Sequence, residues 1–261
     1  MNITLGFSPC PNDTYMFAAL VNGWIDTHGL TFDVHMEDVE TLNEWAGNLQ
    51  LDVTKISFHR ALSLDHTYQL LSSGAALGNG CGPLVIAREP ISKEALLKVP
   101  IALPGQWTTA HLLFNIFYPG ATGKIFYPFH KIEDAILSGE VDAGVIIHEN
   151  RFTYQHKGLI KIMDLGVSWE GTTWLPIPLG GIFASKSLPE HTISLIDRLL
   201  RESIQFARNN EDIVMPYVRR FAQEMDEDVI HSHISLYVND FSLDLGEKGR
   251  KAIARLKKMV P

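Results

Sequence analysis

Residues 3–17 read Ile3-Thr4-Leu5-Gly6-Phe7-Ser8-Pro9-Cys10-Pro11-Asn12-Asp13-Thr14-Tyr15-Met16-Phe17. The first five residues have the composition of a strand. Ser8–Asn12 is a loop pinned by two prolines. Asp13-Thr14 then opens a helix carrying Met16, Phe17, Ala19 and Leu20 and closed by Gly23. Strand, tight loop and helix form the first half of a βαβ unit.

The same rhythm continues outward. Thr31–Met36 alternates Phe32, Val34 and Met36 against Asp33 and His35, as a strand does. Val39–Leu49 reads as a helix, Leu51–Ile56 as a strand and Phe58–Leu64 as a short helix. After glycine-rich Gly74–Pro83 and apolar Leu84–Ala87 the pattern restarts. Val99–Leu103 is a strand, Thr108–Phe117 a helix and Lys124–Pro128 an extended piece. Lys131–Ser138 is a helix, and Val141–Ile147 and Leu159–Met163 are strands. Trp174–Ala184 contains Pro176, Pro178, Gly180 and Gly181, which predicts an extended crossover. From Ser187 the chain is helical. Ile193, Ile196, Leu200, Ile204 and Ala207 share one face, and further helices follow near 212–224, 227–239 and 246–258.

This alternation predicts an α/β protein with largely parallel sheets. Its two βαβ lobes are joined by two crossovers: lobe 1 from residues 1–86 plus 187–261, and an inserted lobe 2 from 87–186. That is the arrangement of a periplasmic-binding-protein-like fold, type II. Its ligand cleft lies between the lobes, at the carboxyl ends of the strands.

The 261 residues hold 22 basic and 30 acidic side chains, a net charge of −8, which argues against a nucleic-acid partner. The six basic residues from Lys248 to Lys258 read as a solvated helix face. No apolar run is long enough to span a bilayer, so no membrane partner is expected. Cys10 and Cys81 are the two cysteines and neither sits in a CxxC, which points to reduced thiols. With strand-like residues directly after Met1 in place of a leader, the expected location is the cytoplasm.

Candidate site residues sit at strand-to-helix junctions, where free N–H groups and hydroxyls hold anions. In the first junction Asn12 or Asp13 serves either as a helix cap or as a ligand group. In Lys55-Ile56-Ser57, Ser57 ends an apolar strand. Thr108-Thr109-Ala110 opens the first helix of lobe 2. His148 ends the apolar run Val145-Ile146-Ile147 and is the candidate general base, with Glu149 or a backbone carbonyl available to orient its ring. His231 and His233 diverge on a helix and make no metal pair. Cys10 has no base partner visible in sequence, and the glycines of 74–82 lack a phosphate-cradle pattern.

Ser8-Pro9-Cys10-Pro11-Asn12-Asp13-Thr14, followed by Tyr15-Met16-Phe17, resembles the N-terminal signature of the 1,4-dihydroxy-6-naphthoate synthase family of the futalosine route to menaquinone. Lys55-Ile56-Ser57, Ser73-Gly74-Ala75-Ala76-Leu77-Gly78, Thr108-Thr109-Ala110 and Gly144–Glu149 with Arg151-Phe152-Thr153-Tyr154 extend the match in order. The resemblance implies a lyase that converts cyclic dehypoxanthinyl futalosine to 1,4-dihydroxy-6-naphthoate and dihydroxyacetone, with no cofactor and no metal. It implies His148 as catalytic base and substrate contacts at Lys55, Ile56, Ser57 and the Thr109-Ala110 helix start. Two other readings share the architecture. A chorismate dehydratase-like sister enzyme lacks the Ser-Pro-Cys-Pro-Asn-Asp-Thr block, and a solute-binding protein of a transporter would carry an export signal or lipid anchor. Among Lys55, Arg60 and Arg151, the sequence leaves open which holds the substrate carboxylate.

Overall fold

The computed structural model describes residues 1–222 and 226–260. From the N-terminus the chain lays down β1 (Asn2–Phe7), α1 (Pro11–Val21), β2 (Thr31–Met36), α2 (Val39–Gly47), β3 (Val53–Ser57), α3 (Phe58–Ala61), β4 (Tyr68–Leu70) and β5 (Ala76–Gly78). It then crosses to a second sheet through β6 (Leu84–Ala87), α4 (Lys93–Leu96), β7 (Ile101–Leu103), α5 (Thr109–Phe117) and β8 (Lys124–Phe126). That lobe continues with α6 (Ile132–Ser138), β9 (Ala143–Ile146), α7 (Asn150–Thr153), β10 (Ile160–Asp164) and α8 (Leu165–Thr173). The chain returns in β11 (Ile177–Ser185). It ends in α9 (Glu190–Asn209), α10 (Glu211–Phe221), α11 (Glu227–Tyr237), α12 (Asp240–Leu243) and α13 (Gly246–Lys258). The helix expected near 212–224 is thus seen to Phe221, and residues 223–225 lie outside the described residues.

The first sheet runs β2-β1-β3-β11-β4, with β5 also on β11, and the second runs β10-β6-β9-β7-β8. Each contains a parallel trio, β2-β1-β3 and β9-β7-β8. The expectation of largely parallel sheets needs qualifying, because the strands by which the chain enters and leaves run the other way. β11 is antiparallel to β3, β4 and β5, and β6 is antiparallel to β9 and β10. Two segments fall on the other side of the expected lobe limits. Leu84–Ala87 pairs wholly within the second sheet, and Ile177–Ser185, expected as a crossover, is a strand of the first.

α1 is buried along Pro11–Leu20. A helix apolar on every side must be covered on every side, and α9, α10 and α11 pack around it. These C-terminal helices press on the first sheet, and Ser203 fixes the contact by donating to the Met16 carbonyl (2.7 Å). α13 buries Gly249, Ala252 and Leu256 while its lysines face outward, and Lys257 pairs with Asp65 (3.2 Å).

The first connection between the lobes touches the start of α8, where Gly82 meets Gly166. A Cβ on Gly82 would lie 2.3 Å from the Gly166 backbone, so the crossing requires glycine there. Leu165 N–H donates to the Pro83 carbonyl at the same point (3.0 Å). Gly82→Ala is expected to lower stability by about 1–3 kcal/mol through overpacking. Gly171→Ala, within α8 and with nothing within 4 Å of the new Cβ, should raise it by about 0.5–1 kcal/mol. Urea midpoints of the two variants check the contrast.

Candidate active site

The first junction is built differently from either cap reading. The N-cap of α1 is Cys10, extended at φ −61° and ψ 148°, with no side-chain cap, and Pro11 presets the first turn. Neither Asn12 nor Asp13 caps the helix. Asp13 turns inward instead, where its carboxylate accepts from the Ser8 backbone N–H (3.1 Å), the Ser8 hydroxyl (2.6 Å) and the Asn12 amide (2.8 Å). It also pairs with the ammonium of Lys55 on β3. The Asp13 side chain is fully buried and that of Lys55 is 8% exposed. Ionised groups so placed need each other, since each alone would carry an uncompensated desolvation cost.

At the end of β3, Ile56 is fully buried in the core and contributes packing. Ser57 begins α3 without capping it. Its hydroxyl accepts from the Asn43 amide (3.0 Å) and its N–H donates to the Asn43 carbonyl oxygen Oδ1 (2.9 Å). In the second lobe Thr108 caps α5 by accepting from the His111 N–H (3.3 Å). Thr109 reaches back across the cleft: its hydroxyl donates to the Leu179 carbonyl on β11 (2.5 Å) and accepts from the His59 N–H (3.2 Å). Glu40 of α2 makes a second span by accepting from the Trp107 N–H (2.9 Å), and the Arg60 guanidinium stacks 4.0 Å over the Trp107 ring. Burial raises the Glu40 carboxyl above its ordinary range.

His148 follows β9, at the strand end the sequence indicates. Its φ of 58° places a non-glycine residue in the left-handed region, a conformation that costs of order 1–3 kcal/mol and collects at functional sites. Nδ1 lies 3.5 Å from Cys10 Sγ, and the Phe129 ring packs 4.8 Å away. The sequence offered Glu149 or a carbonyl to orient the ring, and the structure adds the Cys10 sulfur as a partner of Nδ1. Desolvation and the nearby Lys55 cation lower the His148 pKa to about 4, opposed in part by Asp13 and Asp38. The ring is neutral at pH 7 and able to accept a proton. Burial, with Glu149 adding to it, pushes the Cys10 thiol well up, so the sulfur stays protonated and is not poised as a nucleophile.

One cavity collects these groups. Asn12, Lys55 and Ser57 line it from the first lobe, and Thr108, Thr109, Ala110 and His148 from the second. Asp13 and Ile56 stand behind that lining. Of the three candidate carboxylate holders, only Lys55 lines it. Arg60 is spent on Trp107 and the Asn43 carbonyl, and Arg151 on the Gly82 carbonyl and Asp164. Sequence reasoning missed Leu179 and Gly180 of β11 and His233 and Tyr237 of α11, all of which also line it. The four-residue spacing of His233 and Tyr237 on one helix face was the available signal. Among the described residues, Cys10, His148 and Glu149 place a thiol, an imidazole and a carboxylate within 4.8 Å of one another, a spacing that a thiophilic divalent cation can bridge.

Two lobes, two connections and polar groups converging between them from the carboxyl ends of β1, β3, β7 and β9 define a periplasmic-binding-protein-like fold. The alkanesulfonate-binding protein SsuA of Xanthomonas axonopodis pv. citri shares this fold, with a TM-score of 0.71 at 12% identity over 100% of this chain and 94% of that one. A structure from Archaeoglobus fulgidus is far nearer, with a TM-score of 0.94 at 36% identity over 99% of this chain and 96% of that one. A family model described as menaquinone biosynthesis matches residues 3–261, and the chain belongs to that family. Two relatives are named 1,4-dihydroxy-6-naphtoate synthase. One, from Thermus thermophilus, is 44% identical over 97% of this chain and 92% of its own; the other, from Streptomyces coelicolor, is 43% identical over 97% and 91%.

The depressed His148 pKa has a consequence for folding. Between its native value of about 4 and its ordinary 6.5, the unfolded chain binds a proton that the native state refuses. Stability therefore rises with pH through that window, with His148 contributing up to about 3 kcal/mol. Urea unfolding of the parent and of His148→Gln at pH 4.5 and pH 7 should show a smaller pH dependence in the variant.

Proposed function

We propose that this protein is a 1,4-dihydroxy-6-naphthoate synthase, a carbon–carbon lyase acting on cyclic dehypoxanthinyl futalosine, with His148 as general base. The observation that carries the reading is a neutral imidazole at the end of β9, on the same cavity as a buried ammonium and the N-terminus of α5. The substrate offers an aryl carboxylate and several hydroxyls. Lys55 and the N-terminus of α5 suit the carboxylate, and the hydroxyls of Ser57 and Thr108 suit polar substituents. Family membership and the two named relatives support the same assignment.

In this reading Nδ1 of His148 holds a proton against the Cys10 sulfur, which leaves the Nε2 lone pair to take a proton from the substrate. Carbon–carbon cleavage then releases dihydroxyacetone, and formation of the aromatic ring drives the step. Cys10 is a positioning residue that fixes the imidazole tautomer. The interlobe contacts of Thr109, Glu40 and Trp107 keep the cleft narrow and limit the water around the base.

Purified protein is expected to form 1,4-dihydroxy-6-naphthoate from cyclic dehypoxanthinyl futalosine. His148→Gln should lower kcat/KM by roughly 10²–10⁴. The acid limb of the parent's pH profile should fall near 4 and not near 6.5. Cys10→Ala should lower kcat about tenfold with KM held, and Cys10→Ser should restore most of it, as a tautomer-fixing contact requires. Tight binding of the substrate without product from the parent would make the protein a receptor and end the lyase reading.

A further inference from the structure

The interior of α11 holds a polar group that the proposed chemistry leaves unused. His233 is fully buried, and neither ring nitrogen has a hydrogen-bond partner among the described residues. Buried polar groups are nearly always paired, so an orphaned imidazole calls for a cause. Its neighbours cannot supply a partner. The Tyr237 ring lies 4.6 Å away, but its hydroxyl donates to the Cys81 carbonyl (3.2 Å). The His148 ring is 6.4 Å away between centroids and is turned to Cys10. Yet His233 lines the same cavity as Lys55, Ser57 and His148.

We infer that His233 is a substrate-contacting residue whose ring nitrogens hydrogen-bond a hydroxyl-bearing part of the ligand. A neutral imidazole offers one N–H donor and one lone pair. A hydroxyl, which both donates and accepts, complements either nitrogen, and a pair of hydroxyls complements both. A carboxylate matches less well, because it only accepts, and the cavity already presents Lys55 for it. His233 thus divides recognition with Lys55: the cation takes the acid end of the ligand and His233 the polyhydroxyl end, on the side of the cavity made by α11. This inference rests on the synthase reading and extends it to a residue outside the strand-end junctions.

The test separates a ligand contact from a buried filler. His233→Leu removes an unpartnered polar group, so its thermal midpoint should equal or exceed that of the parent. Its KM for cyclic dehypoxanthinyl futalosine should rise at least tenfold while kcat changes less than threefold. His233→Gln, which keeps a donor and an acceptor, should recover part of the lost affinity. Where His233→Leu does not fold, His233→Phe keeps a planar ring without nitrogen atoms and takes the same measurement. A folded His233→Leu or His233→Phe with the parent's KM and kcat would overturn the inference and leave the synthase reading intact. A parent that forms no product from this substrate would sink that reading, and the present inference with it.

Discussion

The rest of the site depends on one buried ion pair, Asp13 with Lys55. Asp13 is fully enclosed and its carboxylate is used by four donors, one of them charged. The pair joins the first turn of α1 to the middle of β3, so the helix start that follows β1 is locked to the neighbouring strand. Losing either member would strand the other charge in a poorly solvated place, which typically costs 3–5 kcal/mol. The two prolines around Cys10 limit how the loop can relax. Cys10 is thereby held where its sulfur meets His148 of the opposite lobe. One electrostatic constraint in the first lobe thus sets the position of the imidazole's partner in the second.

The cleft is closed by contacts that do no chemistry themselves. Thr109 binds both β11 and the start of α3, and Glu40 holds the Trp107 N–H under the Arg60 guanidinium. His59 adds a bond to the Thr108 carbonyl (3.1 Å), with burial and nearby His111 lowering its pKa. All three spans converge on the N-terminus of α5. An anion drawn to that helix end therefore meets groups whose places depend on both lobes, which is how a two-lobed architecture couples ligand recognition to enclosure.

Much of this was legible in the chain because it is local. A strand, two prolines and a helix start are read directly from residues 3–17, and an apolar run ending in histidine puts His148 at a strand mouth. What was not legible is tertiary. Cys10 and His148 are 138 residues apart, and no spacing rule links them. His233 gains its place from the packing of α11 against α1 and β5, whereas in sequence it stands beside His231 and invites a pairing that a helix forbids. β4 and β5 have three residues each, too few for a period to register. The sheet that Leu84–Ala87 or Ile177–Ser185 joins is likewise set by partners, since an apolar strand carries no mark of which neighbours will cover it.

The electrostatics of the site also explain how a base with a pKa near 4 suits the proposed reaction. Such an imidazole is always free to accept a proton at neutral pH but has little intrinsic pull on one. Part of the depression comes from burial and part from the Lys55 cation. Under the synthase reading, the substrate's carboxylate approaches that same cation, and the field that lowers the His148 pKa is then partly cancelled. The base is strengthened when the substrate is in place and stays weak, and unprotonated, when the cleft is empty. Lys55 is the cation on this cavity, with Asp13 behind it, and Asp38 and Glu149 stand near His148 and Cys10. A single anionic ligand group brought against Lys55 shifts the proton affinity of the base through that same field.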